Sequence, residues 1–348
     1  MTIYAWARPR PLPRLPEPES CLFDTDSDAR VLAHCNWQPE RDRAPALLLL
    51  HGLEGSSLAH YMRGIADKAW RAGFSVVRLN QRNCGGTEHL SRGLYHSGLT
   101  HDPLFVLRHL IEKEGVPAVM LAGYSLGGNL ALKLAGELGA DAPPQLRAVC
   151  AVSPTMDLAL CVDALERRSN VLYQFNFMRN LRARMRRKAA LFPDLYDLAR
   201  LKTVWTVRGF DDAYTAPLSG FGTATRYYHE ASSLRVVDRI RVPALVLTAA
   251  NDPFVPPSQF TRPEVVGNAH VRVVITEEGG HCAFVSEPDP GHDGYWAEHA
   301  VVRWALEHAP PRELPDAQNC RTSEIQPPSL ALNDEANSGP LPSSSCLK

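Results

Sequence analysis

Apolar residues along the chain follow two alternating patterns: short continuous runs and longer stretches with helical spacing. The runs have the length of buried strands, and turn-forming residues bound them. The early runs lie near Arg30–Trp37, Ala46–Leu50, Ser75–Leu79, Ala118–Ala122 and Leu146–Val152. The stretches with helical spacing lie near Leu58–Ala72, Pro103–Lys113 and Asn129–Leu138. Strands that alternate with helices predict an α/β protein whose parallel sheet is covered on both faces.

The alternation stops after the run Leu146–Val152 and resumes later in the chain. Residues 156–238, here called the cap, are helical, basic and aromatic, and they contain no run typical of a strand. Val242–Ala249 and His270–Thr276 then predict two further strands, and Trp296–His308 predicts a final helix. We therefore expect one catalytic domain over residues 21–309, with a mostly parallel, doubly wound sheet and an inserted helical cap.

The two ends of the chain differ in composition from this domain. Residues 1–20 are rich in Pro and Arg, which predicts an extended arm, and they show no signal-peptide core. Residues 310–348 turn to Pro, Ser, Asn and Asp. We expect this tail to be disordered, because it lacks the apolar surface that would offset the entropy cost of ordering.

Composition narrows the class of protein. The 348 residues are 45% apolar and 22% charged, as is usual for globular proteins, and the net charge of −1 gives no reason to expect nucleic acid as a partner. The apolar runs have strand length, so no membrane span is predicted. The eight cysteines occur without a Cys-x-x-Cys pair, which predicts neither a zinc site nor a disulfide framework. We expect reduced thiols in the cytoplasm.

The segment Leu121–Asn129 contains Gly-x-Ser-x-Gly between a predicted strand and a predicted helix. Glycines at 123 and 127 remove the Cβ atoms that would clash where the strand and the helix cross. The turn raises the Ser125 hydroxyl above the sheet, and the helix N-terminus favours negative charge that develops there. This context is typical of a nucleophile elbow, so Ser125 is the candidate nucleophile.

A serine hydroxyl needs a general base near neutral pH, and the base needs an acid that orients it. Asp252 follows one of the later predicted strands, and His281 follows the last of them after two glycines. Three strand ends should therefore bring Ser125, Asp252 and His281 to one edge of the sheet. Asp157 is the alternative acid, because it too lies just after a strand.

Two backbone N–H groups are expected to stabilise the oxyanion. One belongs to Leu126, the residue after the candidate nucleophile. The other belongs to Leu53, because the strand Ala46–Leu50 leads into His51-Gly52-Leu53-Glu54-Gly55 and the glycines allow close approach to a substrate. A carboxylate that faced the oxyanion would oppose catalysis, so we expect the Glu54 side chain to point away, to solvent or to a cation.

Five motifs together resemble the YheT-like branch of the α/β-hydrolases, which contains bacterial esterases and membrane-anchored animal relatives that act on lipid esters. They are His51-Gly-Leu-Glu-Gly-Ser-Ser57, Asn80-Gln-Arg-Asn-Cys-Gly-Gly86, Gly123-Tyr-Ser-Leu-Gly-Gly-Asn129, Gly209-Phe-Asp-Asp212 and Tyr227-Tyr228. The resemblance covers about residues 20–309 and implies the α/β-hydrolase fold. It also implies a triad of Ser125, Asp252 and His281. The chain shows no counterpart of the animal N-terminal anchor, so we expect no stable membrane anchor.

We expect a serine hydrolase that cleaves small carboxylic esters through an acyl-serine intermediate, without a metal or an organic cofactor. The cap should shape an apolar acyl pocket, which favours short-to-medium acyl chains. Helical spacing predicts that Leu172, Phe175 and Met178 share one face of a cap helix. Two alternatives stay open: an acyltransferase that uses an alcohol acceptor, and a binding protein that keeps the fold without chemistry.

Three further features have structural interpretations. Asp211 and Asp212 are interpreted as a hydrogen-bonded clamp in the cap rather than as an acid–base pair. The spacing of four histidines fits no closed metal site, and these are His51, His60, His96 and His101. One cap stretch is basic and is interpreted as a solvated face, with weak membrane-surface or anion binding as the alternative. Its residues are Arg179, Arg182, Arg184, Arg186, Arg187 and Lys188.

Overall fold

The computed structural model describes residues 15–288 and 291–311, and their main element is an eight-stranded sheet. The strands are β1 Glu19–Asp26, β2 Ala29–Asn36, β3 Ala46–Leu50, β4 Ser75–Leu79, β5 Val119–Tyr124, β6 Leu146–Val152, β7 Ala244–Ala249 and β8 Val271–Thr276. Their order is β1-β2-β4-β3-β5-β6-β7-β8. The pairs β1–β2 and β2–β4 are antiparallel and the other pairs are parallel. This confirms the mostly parallel α/β sheet.

The described residues contain seven helices of eight residues or more. These are α1 His60–Arg71, α2 His101–Glu112, α3 Leu126–Leu138, α4 Leu158–Leu165, α5 Val171–Leu191, α6 Ala224–Ala231 and α7 Trp296–His308. Shorter α-helical turns are Val207–Phe210, Ala216–Leu218 and Pro263–Val266, and a π-helical turn is Asp211–Thr215. The 3₁₀ turns are Glu88–Leu90, Gly139–Asp141, Arg168–Asn170, Arg200–Lys202, Ser233–Arg235, Val237–Arg239 and Pro257–Thr261. None of these described helices is both long enough and apolar enough to cross a membrane.

Successive residues of β3 pack into opposite layers of the core. Leu48 and Leu50 join the cluster that includes α2 and α3, whereas Leu47 and Leu49 join the cluster that includes α1 and α7. Both faces of the sheet are therefore covered. This explains why the central strands appear in the sequence as continuous apolar runs rather than as alternating patterns.

The ends of the chain are described only in part. Residues 1–14 of the predicted arm and residues 312–348 of the predicted tail lie outside the described residues. The strand β1 begins at Glu19, inside the predicted arm, and the Asn36 side chain donates a hydrogen bond of 2.7 Å to the Pro16 carbonyl.

Every residue between β6 and β7 is described, and this segment forms helices α4 to α6 and short turns without a strand. The predicted shared face of Leu172, Phe175 and Met178 is wrong. Met178 is buried, whereas Leu172 and Phe175 are 70% and 68% exposed. The buried face of α5 continues from Met178 through Leu181 and Met185, and Leu172 instead borders an open groove.

The interpretation of the basic cap stretch as a solvated face is wrong for two of its residues. Arg184 and Lys188 lie on the buried side of α5. Lys188 donates hydrogen bonds to the backbone carbonyls of Glu88 and Ser91, and burial lowers its pKa to about 8. Two positively charged side chains of the cap therefore point into the protein.

Candidate active site

The strand β5 passes directly into α3 through Ser125, which adopts φ 53° and ψ −116°. A non-glycine residue rarely takes a positive φ, and such strain is common at functional sites. A Cβ on Gly123 would lie 2.1 Å from the Gly127 oxygen, and one on Gly127 would lie 2.4 Å from the Leu50 oxygen. The tight crossing of strand and helix therefore has room only for glycine at both positions.

A chain of hydrogen bonds joins the three residues expected to form the triad. The Nε2 atom of His281 lies 2.9 Å from Ser125 Oγ, and its Nδ1 lies 2.9 Å from Asp252 Oδ2. The other oxygen of Asp252 accepts backbone N–H bonds from Phe254 at 3.1 Å and Val255 at 3.0 Å. All three triad side chains are buried. The carboxylate is thus fixed against one ring nitrogen while the other nitrogen faces the serine hydroxyl.

One residue that the sequence analysis did not single out holds the histidine loop. The Asn251 side-chain oxygen accepts hydrogen bonds from the N–H groups of Gly279 at 3.1 Å and Gly280 at 2.8 Å. Asn251 precedes Asp252, and Gly280 precedes His281. The loop that carries the imidazole is therefore tied to the loop that carries the carboxylate. The feature of the sequence that could have indicated this role is the Asn immediately before the candidate acid Asp252.

The turn after β3 brings its backbone close to Ser125. The Gly55 N–H donates to the Gly52 carbonyl at 3.0 Å, which closes a four-residue turn around Leu53. A Cβ on Gly52 would lie 3.2 Å from the Ser125 Cβ. Leu53 and Leu126 both border a cavity that Ser125 also borders. The two N–H groups expected to bind the oxyanion thus belong to segments that meet at the serine.

The Glu54 side chain, expected to point to solvent or to a cation, meets the cation Arg184. Its Oε1 lies 2.6 Å from Arg184 Nη1, and the Tyr95 hydroxyl donates to the same oxygen at 3.0 Å. Both side chains of the ion pair are less than one-tenth exposed. Burial acts to lower the pKa of Arg184, but the nearby Glu54 and Tyr95 raise it above the ordinary value, so the guanidinium stays charged.

Ser125 lies between two spaces. The inner cavity has a volume of about 80 Å³, and the outer groove has a volume of about 390 Å³. The inner cavity is bordered on its apolar side by Leu126, Leu158, Val162, Leu165, Leu181 and Val207. The outer groove is bordered by His60, Tyr61, Tyr124, Leu172, Tyr173 and His281. Leu53, Phe177 and Phe254 border both spaces, as Ser125 does.

The other candidate carboxylates have structural partners. Asp157 is the N-cap of α4 and accepts a hydrogen bond from the Leu160 N–H at 3.1 Å. Asp212 accepts from the Ala224 N–H at 2.6 Å, as a loop clamp would. Asp211 is buried beside the inner cavity, accepts from the Tyr228 hydroxyl at 2.7 Å, and has a pKa raised to about 6, chiefly by burial.

The four histidines considered as metal ligands do not converge. His51 is buried, its Nε2 accepts from the Gln81 N–H at 3.1 Å, and burial lowers its pKa to about 4. Within residues 15–288 and 291–311, one group of side chains has metal-ligand geometry, and it consists of His292, Asp293 and His299. None of its members borders the inner cavity or the outer groove. This group is therefore separate from the chemistry at Ser125.

The fold and this site define a class of protein. A model of the alpha/beta hydrolase fold matches residues 45–288, and the chain belongs to the α/β-hydrolase family. YheT of Escherichia coli, which is named as a candidate esterase, is 33% identical over 281 residues. The alignment covers 80% of this chain and 82% of YheT. This similarity confirms the resemblance to the YheT-like branch.

Two further comparisons extend the family. Medium-chain fatty acid ethyl ester synthase/esterase 2 of Saccharomyces cerevisiae is 28% identical over 286 residues, which cover 75% of this chain and 61% of that protein. The crystal structure of a 2,6-dihydroxy-pseudo-oxynicotine hydrolase has a TM-score of 0.56 at 17% identity, and the match covers 84% of this chain and 68% of that one. At that identity the structural match shows the shared fold alone.

Proposed function

We propose that this protein is a serine hydrolase that cleaves carboxylic esters through an acyl-enzyme intermediate. The observation that carries the proposal is the hydrogen-bonded chain from Ser125 through His281 to Asp252, with both contacts at 2.9 Å. A nucleophile, a base and an orienting acid in this order are what acyl transfer to serine requires. The esterase names of relatives support the same reaction class.

In the first step, Ser125 Oγ attacks the ester carbonyl carbon, and His281 Nε2 takes the hydroxyl proton. The carbonyl oxygen becomes an oxyanion, which the N–H groups of Leu53 and Leu126 stabilise. The intermediate then collapses, the C–O bond to the alcohol breaks, and His281 gives its proton to the leaving oxygen. Water repeats the sequence on the acyl-serine and releases the acid. Asp252 holds the imidazole and stabilises its charged form throughout.

We assign the two halves of the ester to the two spaces from the position of His281. The leaving alcohol must lie beside His281, because it takes its proton from that ring. His281 borders the outer groove and is absent from the border of the inner cavity, so the alcohol lies in the groove and the acyl chain in the cavity. The small volume of the inner cavity and the apolar side chains that line part of it support short-to-medium chains. The medium-chain name of the yeast relative agrees.

Changing Phe177 to Ala should shift the acyl-chain preference towards longer esters. The phenyl ring borders the inner cavity, and each additional buried methylene is worth about 0.8 kcal/mol, or about fourfold in affinity. The measurement is kcat/KM for a p-nitrophenyl ester series from acetyl to decanoyl. Phe175→Ala is the control, since Phe175 lies on the same helix but is exposed. A profile that is flat in the wild type and both variants would show that the cap does not select the chain.

The pH dependence of kcat/KM should report the deprotonation of His281. Burial acts to lower the pKa of this imidazole, but Cys282 and Asp252 beside it raise the pKa above its ordinary 6.5. Only the neutral ring can accept the serine proton, so activity should rise with pH and reach half its maximum above pH 6.5. Asp252→Asn should move this midpoint to lower pH, and Asp211→Asn should not. A wild-type midpoint at or below 6.5 would contradict the assignment.

A fluorophosphonate probe tests the reaction class without knowledge of the natural substrate. The probe phosphonylates a serine that has an adjacent base, so mass spectrometry should find the label at Ser125. A panel of esters that varies chain length and alcohol then identifies the substrate class. A protein that keeps this fold only to bind a ligand would show neither labelling nor turnover.

Acyl transfer is a second candidate reaction, because the yeast relative is named as a synthase as well as an esterase. An alcohol in the outer groove would replace water in the second step, and the chemistry at Ser125 would be unchanged. The products distinguish the two reactions. With ethanol present, a transferase forms the ethyl ester faster than the free acid. A hydrolase forms mainly the acid.

A further inference from the structure

The turn that carries Leu53 contains a residue in an unfavourable conformation. Glu54 occupies the third position of the turn Gly52–Gly55 with φ 56°. This position in a type II turn normally requires glycine, because a side chain disfavours the left-handed region. The φ and ψ of Glu54 set the two peptide planes that flank it. Because the bond from the Gly55 N–H to the Gly52 carbonyl closes the turn, a change at Glu54 also moves the Leu53 N–H. Surrounding contacts must therefore hold Glu54 in place.

Tyr95 and Arg184 supply those contacts. The Tyr95 hydroxyl accepts a hydrogen bond from the Glu54 N–H at 2.9 Å and donates one to Glu54 Oε1 at 3.0 Å. Arg184 Nη1 lies 2.6 Å from the same oxygen, and its guanidinium lies over the Tyr95 ring at 4.5 Å. Tyr95 of the sheet domain therefore contacts both the backbone and the side chain of Glu54, and Arg184 of α5 contacts its side chain.

Arg184 also neutralises the buried Glu54 carboxylate next to the proposed oxyanion hole. The Glu54 carboxylate is one residue away from the N–H that is to bind the oxyanion, and it is largely buried. A buried negative charge without a counterion would oppose the negative charge that develops on the substrate oxygen. The guanidinium removes that repulsion. Its loss would leave the carboxylate both uncompensated and less firmly held.

We propose that Tyr95 and Arg184 are positioning residues of the oxyanion hole. They hold Glu54 in its left-handed conformation, which directs the Leu53 N–H, and Arg184 neutralises the Glu54 carboxylate. This inference rests on the proposed function, since it concerns the same site. Because Arg184 belongs to the cap, the oxyanion hole is complete only when α5 is seated on the turn.

A double-mutant cycle between Arg184→Met and Glu54→Gly tests the proposal. Glycine takes a φ near 56° without strain and carries no carboxylate, so it removes the need for both contacts. Arg184→Met alone should lower kcat about 10- to 100-fold, less than the roughly 10²- to 10³-fold expected for complete loss of an oxyanion donor, and should change KM less than about threefold. In the Glu54→Gly background, the same change should lower kcat less than about threefold. The rate of fluorophosphonate labelling at Ser125 should follow kcat.

A second ion pair on the same helix provides a matched control. Arg187 Nε lies 2.6 Å from Glu88 Oε1 and also joins α5 to the sheet domain, but it does not touch the turn. Arg187→Met should therefore leave kcat unchanged, and an equal loss in this variant would overturn the proposal in favour of general cap docking. An equal loss for Arg184→Met in both backgrounds would also overturn it, because Arg184 would then act independently of Glu54.

Tyr95→Phe provides an independent measurement, and it decides the question if Arg184→Met fails to fold. It removes one oxygen and keeps the ring under the guanidinium. It should lower kcat about tenfold with Glu54 present and less than about threefold with Gly at that position. Equal losses in the two backgrounds overturn the inference. If the proposed function itself is wrong, the wild-type protein will not be labelled at Ser125. That result differs from both an equal and an unequal loss of kcat in the two backgrounds.

Discussion

Replacing Ser125 with alanine will lower kcat for ester hydrolysis by a factor on the order of 10⁴ or more, and the fold will stay intact. The substitution deletes only the attacking oxygen. The backbone bonds of the residue remain, since the Ser125 N–H donates to the Val152 carbonyl at 2.9 Å and its carbonyl accepts from the Asn129 N–H at 3.0 Å. Single-turnover and steady-state rates on a p-nitrophenyl ester, together with the thermal midpoint, measure both parts of this result.

The control is Ser233→Ala. Ser233 is also buried, and its hydroxyl lacks a hydrogen-bond partner among the described residues, so the change removes an oxygen of the same kind. Ser233 borders neither space at the nucleophile. Its activity should match that of the wild type. Turnover near the wild-type rate by a folded Ser125→Ala protein would refute the assignment of the nucleophile.

Changing Asp252 to Asn will lower kcat by about 10³- to 10⁴-fold, while Asp157→Asn will cost far less. The carboxylate accepts the proton on His281 Nδ1, which leaves Nε2 free to act as a base towards the serine. An amide can present its NH₂ group to that nitrogen and so favour the wrong tautomer. Asp157 instead caps α4, and Asn caps a helix about as well as Asp, so this replacement should leave both kcat and the thermal midpoint nearly unchanged.

These two variants can be compared directly, because Asp157 and Asp252 follow strands that end at the same edge of the sheet. Loss of kcat in Asp157→Asn with full activity in Asp252→Asn would move the acid to the end of β6. Little change in the thermal midpoint is expected for Asp157→Asn, since the Asn side-chain oxygen can still accept the Leu160 N–H. Circular dichroism melts of the two variants provide that measurement.

The central sheet could be predicted because its strands are buried on both faces. β3 lies between two parallel neighbours and under helices on each side, so all five of its residues are apolar. β1 was not predicted, and its position explains why. It is an antiparallel edge strand with alternating exposure, and it contains Asp24 and Asp26, which are unfavourable in strands.

The order of Ser125, Asp252 and His281 could be read from the sequence, since each follows a recognisable strand. The contacts of Arg184 could not. A stretch with six cationic residues in a helix is usually solvated, and nothing local distinguishes the two that point into the protein. Its partner Glu54 lies on a turn far away in the chain, and only the packing of α5 brings the two together. The sequence indicated only that the Glu54 side chain should point away from the oxyanion, to solvent or to a cation.

The two ends of the cap lie next to each other, since the Leu234 N–H donates a hydrogen bond of 3.1 Å to the Met156 carbonyl. An insertion whose two ends are adjacent can change in length or sequence without disturbing the sheet that carries Ser125, Asp252 and His281. Caps could therefore be exchanged between members of this family as modules, and substrate range could evolve by that route. The ion pair at Glu54 restricts such exchange. A transplanted cap must bring its own cation to that turn, or the recipient must first lose its glutamate.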